Sequence, residues 1–349
     1  MGRSIIKAGL TATALLTGLM AYANTYAQGS RLDTIIQRGE LICGADNAKP
    51  GFGYLNPKTG KLEGLDVDYC HAMAAGVLGD GNKVKFVVLT DKTRFNALQN
   101  GEVDVLFFHT TITPTRASSV GADFLPINFY DGAGVLVKAA DKFQHINELD
   151  GGTICTTQGS TTEAVWADYI KGHNWKKTTK VLTYSDLDKL FAALSSGRCN
   201  AMTTDKSALV GWKGNAPKPS DYDILPETIS KEPLAGSVNQ GDPKLHTALT
   251  WIAYALVQAE ESGITSKNVA EMTKSTDPEI QRLLGVNGDI GKNMGLKPDF
   301  VQKVIAATGN YGEIYNRNVG PDTPYSIVRK GSLNDLWTNG GAMYSPPFR

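Results

Sequence analysis

Twice along this chain a short β-rich run gives way to a helical pattern and then to another β-rich run, and that repeat limits the fold more than any other feature. The first series reads ELICGAD (40–46), a helix from Val67, KFVVL (85–89), a helix near Arg94 and VDVLFF (103–108). The second begins after Gly151 with TICTT, a helix from Thr161, KVLTY, a helix from Ser185 and CNAMTTD, ending at Asp205. Such alternation builds a mostly parallel sheet with helices on its faces. Two series in 349 residues predict two α/β lobes, because a chain of this length is about twice the usual domain. GAGVLVK (132–138) is apolar without a helix signal and is expected to cross from one lobe to the other, with a return near EPLAGSVNQGD (232–242). LHTALTWIAYALVQAEESG then repeats apolar residues at helical spacing up to Gly263 and should rejoin the first lobe, with the helical tail from Lys267 capping it. The expected division is 28–137 plus 236–349 for lobe 1 and 138–235 for lobe 2.

The first 27 residues carry Arg3 and Lys7, an apolar stretch from Ala8 to Met20, and small residues at Ala21, Ala23 and Ala27. This is the pattern of a secretory signal peptide, and the apolar run is short of the ~20 residues of a membrane span. Cleavage is expected after Ala27 or after Ala23. The mature chain should then be periplasmic and not inserted in the membrane. Losing Arg3 and Lys7 and no acid takes 35 basic against 35 acidic residues to 33 against 35, so no basic field exists to draw in nucleic acid. Export favours oxidised cysteines. Of three possible pairings, Cys43 with Cys70 and Cys155 with Cys199 are expected: the first pair lies on a strand run and its neighbouring helix, the second in two strand-like runs of one βαβ-type segment. No cysteine or histidine pair has zinc-ligand spacing, and no cofactor is implied.

An enzyme search yields little. The chain has no G-x-S-x-G, H-E-x-x-H or G-x-x-x-x-G-K-[ST], and its five histidines are scattered. Asp66 and Asp68 in GLDVD stand where a helix begins and are expected to cap it. Two other segments differ. HTTITPTR (109–116) sets hydroxyls and Arg116 just past a strand, where α/β crevices bind ligands. TTQGSTTE (156–163) follows another strand and opens a helix whose free N–H groups can receive an anion. With Asp205 at the end of a third strand, they offer a cation, neutral donors and a carboxylate, the complement of a free α-amino acid. On composition alone, surface charges and helix caps explain these residues equally well.

At these positions the chain resembles the family 3 periplasmic solute-binding proteins of ABC importers, from about Leu32 to the C-terminus. GLDVDYCHAMAAGVLGD (64–80) and RFNALQNGEVDVL (94–106) carry the resemblance to the family. NVAEMTKSTDPEIQRLLG (268–285), GNYGEIYNRNVG (309–320) and LWTNGGAMYSPPFR (336–349) resemble its general L-amino-acid-binding subgroup. The resemblance implies a type II clamshell, two lobes joined by two hinge strands, with the ligand in the interlobe cleft. It would capture free L-amino acids as a monomer and present them to a membrane permease. Carried over residue by residue, Arg116 would grip the α-carboxylate with Thr111, Ser160 and Thr161 adding donors, and Asp205 would receive the α-ammonium. Asp46 would lie at the pocket mouth, Arg94 would reach the ligand side chain, and His109 would form part of the crevice wall. Phe108, His109 and Pro114 depart from the small or polar residues usual in the family. An exported enzyme on the same fold, a dehydratase acting on a cyclic carboxylate, is the alternative and would need an acid or base beside the arginine. A receptor's sensor domain is a third reading, disfavoured because no membrane span or signalling segment follows the lobes.

Overall fold

The computed structural model describes residues 29–173 and 175–349; the signal-peptide expectation for 1–27 lies outside the described residues. The chain begins with α1 (Arg31–Arg38) and β1 (Leu41–Ala45), followed by a small antiparallel sheet of β2 (Ala48–Lys49), β3 (Gly53–Leu55) and β4 (Leu62–Glu63). Next come α2 (Leu65–Leu78), β5 (Val84–Val88), α3 (Arg94–Gln99), β6 (Val105–Leu106), α4 (Pro114–Ser118) and β7 (Ala122–Asp131). The second series holds β8 (Ala133–Lys138), β9 (Thr153–Thr157), α5 (Thr161–Gly172), β10 (Lys180–Tyr184), α6 (Leu187–Ser195), β11 (Ala201–Asp205), α7 (Lys206–Asn215) and β12 (Tyr222–Ile224). β13 (Glu232–Asn239) and α8 (Pro243–Glu261) lead back, and α9 (Val269–Met272), α10 (Pro278–Leu283), α11 (Ile290–Asn293), α12 (Phe300–Thr308) and α13 (Tyr311–Asn318) form the tail.

Two five-stranded sheets result, ordered β5-β1-β6-β13-β7 and β10-β9-β11-β8-β12. Each is parallel on one side, β1 with β5 and β6, β9 with β10 and β11. Each is completed by antiparallel strands, β13 and β7 in the first sheet and β8 and β12 in the second. The structure corrects one expectation: 132–138 is not a bare connection but β8, hydrogen-bonded to β11 along Ala133 to Val137. The chain changes sheet at Gly132, between β7 and β8, and changes back before Glu232, where β13 begins.

The larger core lies under the first sheet, where α2, α8 and α12 meet. A Cβ at Gly76 would stand 2.4 Å from Ile252 Cδ1 and 3.2 Å from a Val304 methyl, so the glycine lets α2 approach both neighbours. α8 starts cleanly, with Pro243 in its first turn and the Asp242 carboxylate accepting from Leu245 N at 3.0 Å. Disulfides join Cys43 to Cys70, fastening β1 to α2, and Cys155 to Cys199, fastening β9 to the turn before β11, as expected. Among the described residues no helix is long and apolar enough to cross a membrane.

Candidate functional site

The carboxyl ends of the parallel strands of both sheets face one another across a narrow cavity of about 20 Å³, lined by Arg94, His109, Thr111, Arg116, Ser160, Thr161 and Asp205 together with Lys49, Asp91, Thr157, Thr162 and Thr204. Seven of the eight expected site residues therefore meet. The eighth, Asp46, is not in the lining and reaches it through Lys49, whose Nζ lies 2.9 Å from Asp46 Oδ2. The space left suits about one water molecule. The two sides also touch away from the cavity, where Trp212 Nε1 on α7 donates to Ala48 O on β2 at 3.1 Å.

Arg116 is held by α4, a single turn that Thr113 caps by accepting from Arg116 N at 3.2 Å and that Pro114 opens. Pro114 thus occupies the position where a proline best starts a helix and stays out of the cavity. One Arg116 nitrogen donates to Thr111 O at 2.7 Å. Burial lowers its pKa, which Glu232 and Asp205 partly offset. On the facing side Ser160 caps α5, its Oγ accepting from Glu163 N and donating to Thr157 O at 2.7 Å. The first N–H groups of α5, at Thr161 and Thr162, have no partner inside the helix and sit in the cavity wall. The hydroxyls of Thr111 and Thr161 both donate to Glu232 Oε2, at 2.5 and 2.9 Å. Glu232 is buried at the start of β13, and its other oxygen accepts from Ser230.

Asp205 ends β11 and occupies the N-cap position of α7 without capping it. Its carboxylate turns to His109 instead, with Oδ2 2.9 Å from Nδ1. Close as they are, the pair lacks hydrogen-bond alignment, so Nδ1 is buried without a bonded partner. Ring Nε2 lies 3.0 Å from Ser207 Oγ and 4.0 Å from Asp131 Oδ2. The backbone of His109 has a φ of +52°, and its N–H donates to Asp66 Oδ2 at 2.6 Å, which turns the ring into the site. Asp66 is therefore not the helix cap expected of it. Gly64 holds the cap position, Asp66 accepts from His109 and Asn128, and Asp68 accepts from Arg317 and Asn318. Burial raises the pKa of Asp66, and burial followed by the Asp205 charge raises that of Asp131 to about 7.

His109, Asp131 and Asp205 bring donor atoms within 4.8 Å of one another. At the far end Arg94 pairs with Asp91, lies over Phe108 with 5.0 Å from its Cζ to the ring centroid, and keeps its Nε unpartnered. Lys49 stacks on the same ring at 4.7 Å. Burial and then Arg116 push the Arg94 pKa down. Sequence reasoning missed Lys49, Asp91, Asp131 and Glu232; Asp131 and Glu232 flank the points where the chain changes sheet, which was the available signal.

Residues 41–271 match the bacterial extracellular solute-binding proteins, family 3. The chain is 44% identical over 345 residues to the glutamate/glutamine/aspartate/asparagine-binding protein BztA of Rhodobacter capsulatus, covering 98% of this chain and 99% of that one. It is 40% identical over 346 residues to the general L-amino acid-binding periplasmic protein AapJ of Rhizobium johnstonii, covering 99% and 100%. The structure superposes on an ABC transporter periplasmic binding protein of Brucella ovis with glutathione bound, with a TM-score of 0.88, 43% identity, and 92% and 100% coverage.

Proposed function

The chain belongs to the bacterial extracellular solute-binding proteins of family 3, and from that membership we propose that it captures L-amino acids in the periplasm and hands them to the permease of an ABC importer. One observation carries the reading: a guanidinium and a carboxylate, Arg116 and Asp205, come from different sheets to the same cavity. Arg116 forks onto the α-carboxylate beside the free N–H groups of α5. Asp205 takes the α-ammonium, so a zwitterion enters without stranding a charge. Thr111, Ser160 and Thr161 shape the carboxylate end, His109 walls the ammonium end, and Lys49 and Arg94 face the ligand side chain, with Asp46 behind Lys49.

The two sheets with their helices act as lobes that pivot at Gly132 and at the segment before Glu232. The cavity has no room for an amino acid as it stands, so ligand enters an opened form, and contacts divided between the lobes favour closure. The ligands named for the relatives support the headgroup reading. Acidic and amide amino acids share the α-carboxylate and α-ammonium, and so does the γ-glutamyl end of glutathione. The relatives are binding proteins by name, which favours binding over catalysis.

Calorimetry against L-amino acids, glutathione and ligands stripped of one headgroup charge tests this. Binding should need both charges, and the ligand should be recovered intact. Equal affinity for glutarate and L-glutamate, or conversion of the ligand, would refute it.

A further inference from the structure

Two carboxylates and one histidine cluster where a ligand ammonium would sit, and Asp131 is the member that the reading above leaves unused. Asp131 ends β7 at the pivot, exposes only 6% of its side chain, and accepts from Gly132 N at 2.8 Å and Ser207 N at 3.2 Å. Its Oδ2 lies 4.0 Å from His109 Nε2 while Asp205 Oδ2 lies 2.9 Å from Nδ1, and one donor atom of each residue lies within 4.8 Å of the others, so the two acids share the imidazole and Nδ1 keeps no hydrogen-bonded partner. The groups facing Asp131 are Asp205 from β11, His109 from the loop after β6, Lys206 from α7 and Tyr315 from α13. Lys206 sends its Nζ to Pro226 O, and among the described residues no lysine or arginine forms an ion pair with Asp131.

We propose that Asp131 is a positioning residue of the ammonium subsite, acting through His109, and that filling the subsite expels a proton from the Asp131–His109–Asp205 cluster to solvent. The inference rests on the amino-acid reading of the site. A ligand ammonium brings a fixed positive charge among clustered carboxylates and favours their ionised forms. A group titrating near 7 in the free protein is partly protonated at neutral pH, and a cation placed beside it drives that proton off. Burial and the Asp205 charge favour holding it in the absence of ligand. The ammonium then takes the place of the proton, leaving the net charge of the buried cluster unchanged.

The test is calorimetry of the whole protein with L-glutamine, whose side chain carries no ionisable group, in phosphate and in Tris at pH about 6.5. The binding enthalpy should differ between buffers by the ionisation heat of a substantial fraction of a proton. Wild-type affinity should fall about tenfold from pH about 8 to pH about 6, as expected for one proton lost from a group titrating near 7. Asp131→Asn keeps the size of the side chain and one acceptor oxygen, enough for Gly132 N or Ser207 N but not both; it should bind glutamine, show buffer-independent heats and lose less than about threefold over the same range. Saturable wild-type binding with buffer-independent enthalpy and pH-independent affinity would overturn the proposal while leaving the amino-acid reading intact. So would an Asp131→Asn protein that still releases the proton. Absence of glutamine binding in either buffer would instead strike the amino-acid reading and this inference with it. The wild-type pH series decides the matter even if Asp131→Asn does not fold.

Discussion

The carboxylate end and the ammonium end of the cleft meet the same problem, holding a charge without a ligand, in opposite ways. At the first, Arg116 brings one cation whose recorded bond is to the Thr111 carbonyl, while the neighbouring hydroxyls are already committed to Glu232. At the second, Asp205 is one of several acids gathered around His109, with Asp131 and Asp66 close by. The first end has little redundancy and the second has some. Equal mutations should therefore have unequal effects.

Arg116→Ala should be the most damaging. It removes the one cation placed for the ligand carboxylate and leaves that charge against Glu232, a loss of about 3 to 5 kcal/mol, or hundreds- to thousands-fold in affinity. Arg116→Lys should recover only part, because an ammonium keeps the charge and loses the fork. Calorimetry with L-glutamine checks both, and a loss under tenfold in Arg116→Ala would mean that the α5 N–H groups suffice. Asp205→Asn should cost less, about tenfold, because Asp131 remains in the same cluster to attract the ammonium. If Asp205→Asn matches Arg116→Ala, the two ends are equivalent and the comparison fails. Combining Asp205→Asn with Asp131→Asn should then exceed the sum of the single effects, since neighbours that share a cluster do not add.

The hydroxyls at the carboxylate end sharpen the contrast. Glu232→Gln keeps a carbonyl for Thr111 and Thr161 to bond while removing a negative charge from the neighbourhood of the ligand carboxylate. Affinity should rise about threefold, an effect of well under 1 kcal/mol that titration can resolve. Glu232→Ala, which also removes the acceptor shared by the two sides, should not improve binding. A weaker Glu232→Gln would show that the Glu232 charge holds Arg116 in place.

What the sequence revealed divides along the same line. Arg116, Ser160, Thr161 and Asp205 were legible because each follows a strand whose carboxyl end a local pattern already marks. Glu232 and Asp131 were not, because their roles depend on partners far away in the chain: Thr111 lies 121 residues from Glu232, and Ser207 lies 76 from Asp131. The fold behaves likewise. Both α/β series were readable from hydrophobic runs, whereas β7 was not, since Pro126 and an irregular burial pattern obscure it. That proline is tolerable because β7 is the edge of its sheet. Asp66 misled for a local reason: the helix starts at Leu65, two residues earlier than a cap there would require, and leaves the carboxylate free to turn toward His109.

The smallest effect expected is at Arg94, which serves neither headgroup end. Its guanidinium is buried on Phe108 and paired with Asp91 through one terminal nitrogen, and its Nε is without a partner, which leaves it donors for a ligand side chain. Removing it does not strand Asp91, because Lys49 Nζ stands 3.7 Å away and can close on it. Arg94→Ala should therefore leave L-alanine, which has no polar side chain, within about twofold of its wild-type affinity. L-glutamate should weaken about fivefold, by roughly 1 kcal/mol, because a carboxylate loses a charged donor. L-glutamine should fall between them, since a neutral amide oxygen gains less from a guanidinium than a carboxylate does. Titrating the one variant with all three ligands isolates the side-chain contribution, the headgroup being common to them. Equal losses for alanine and glutamate would mean that Arg94 acts on the carboxylate end through its neighbour Arg116, and the cleft would then have to be described without a separate side-chain region.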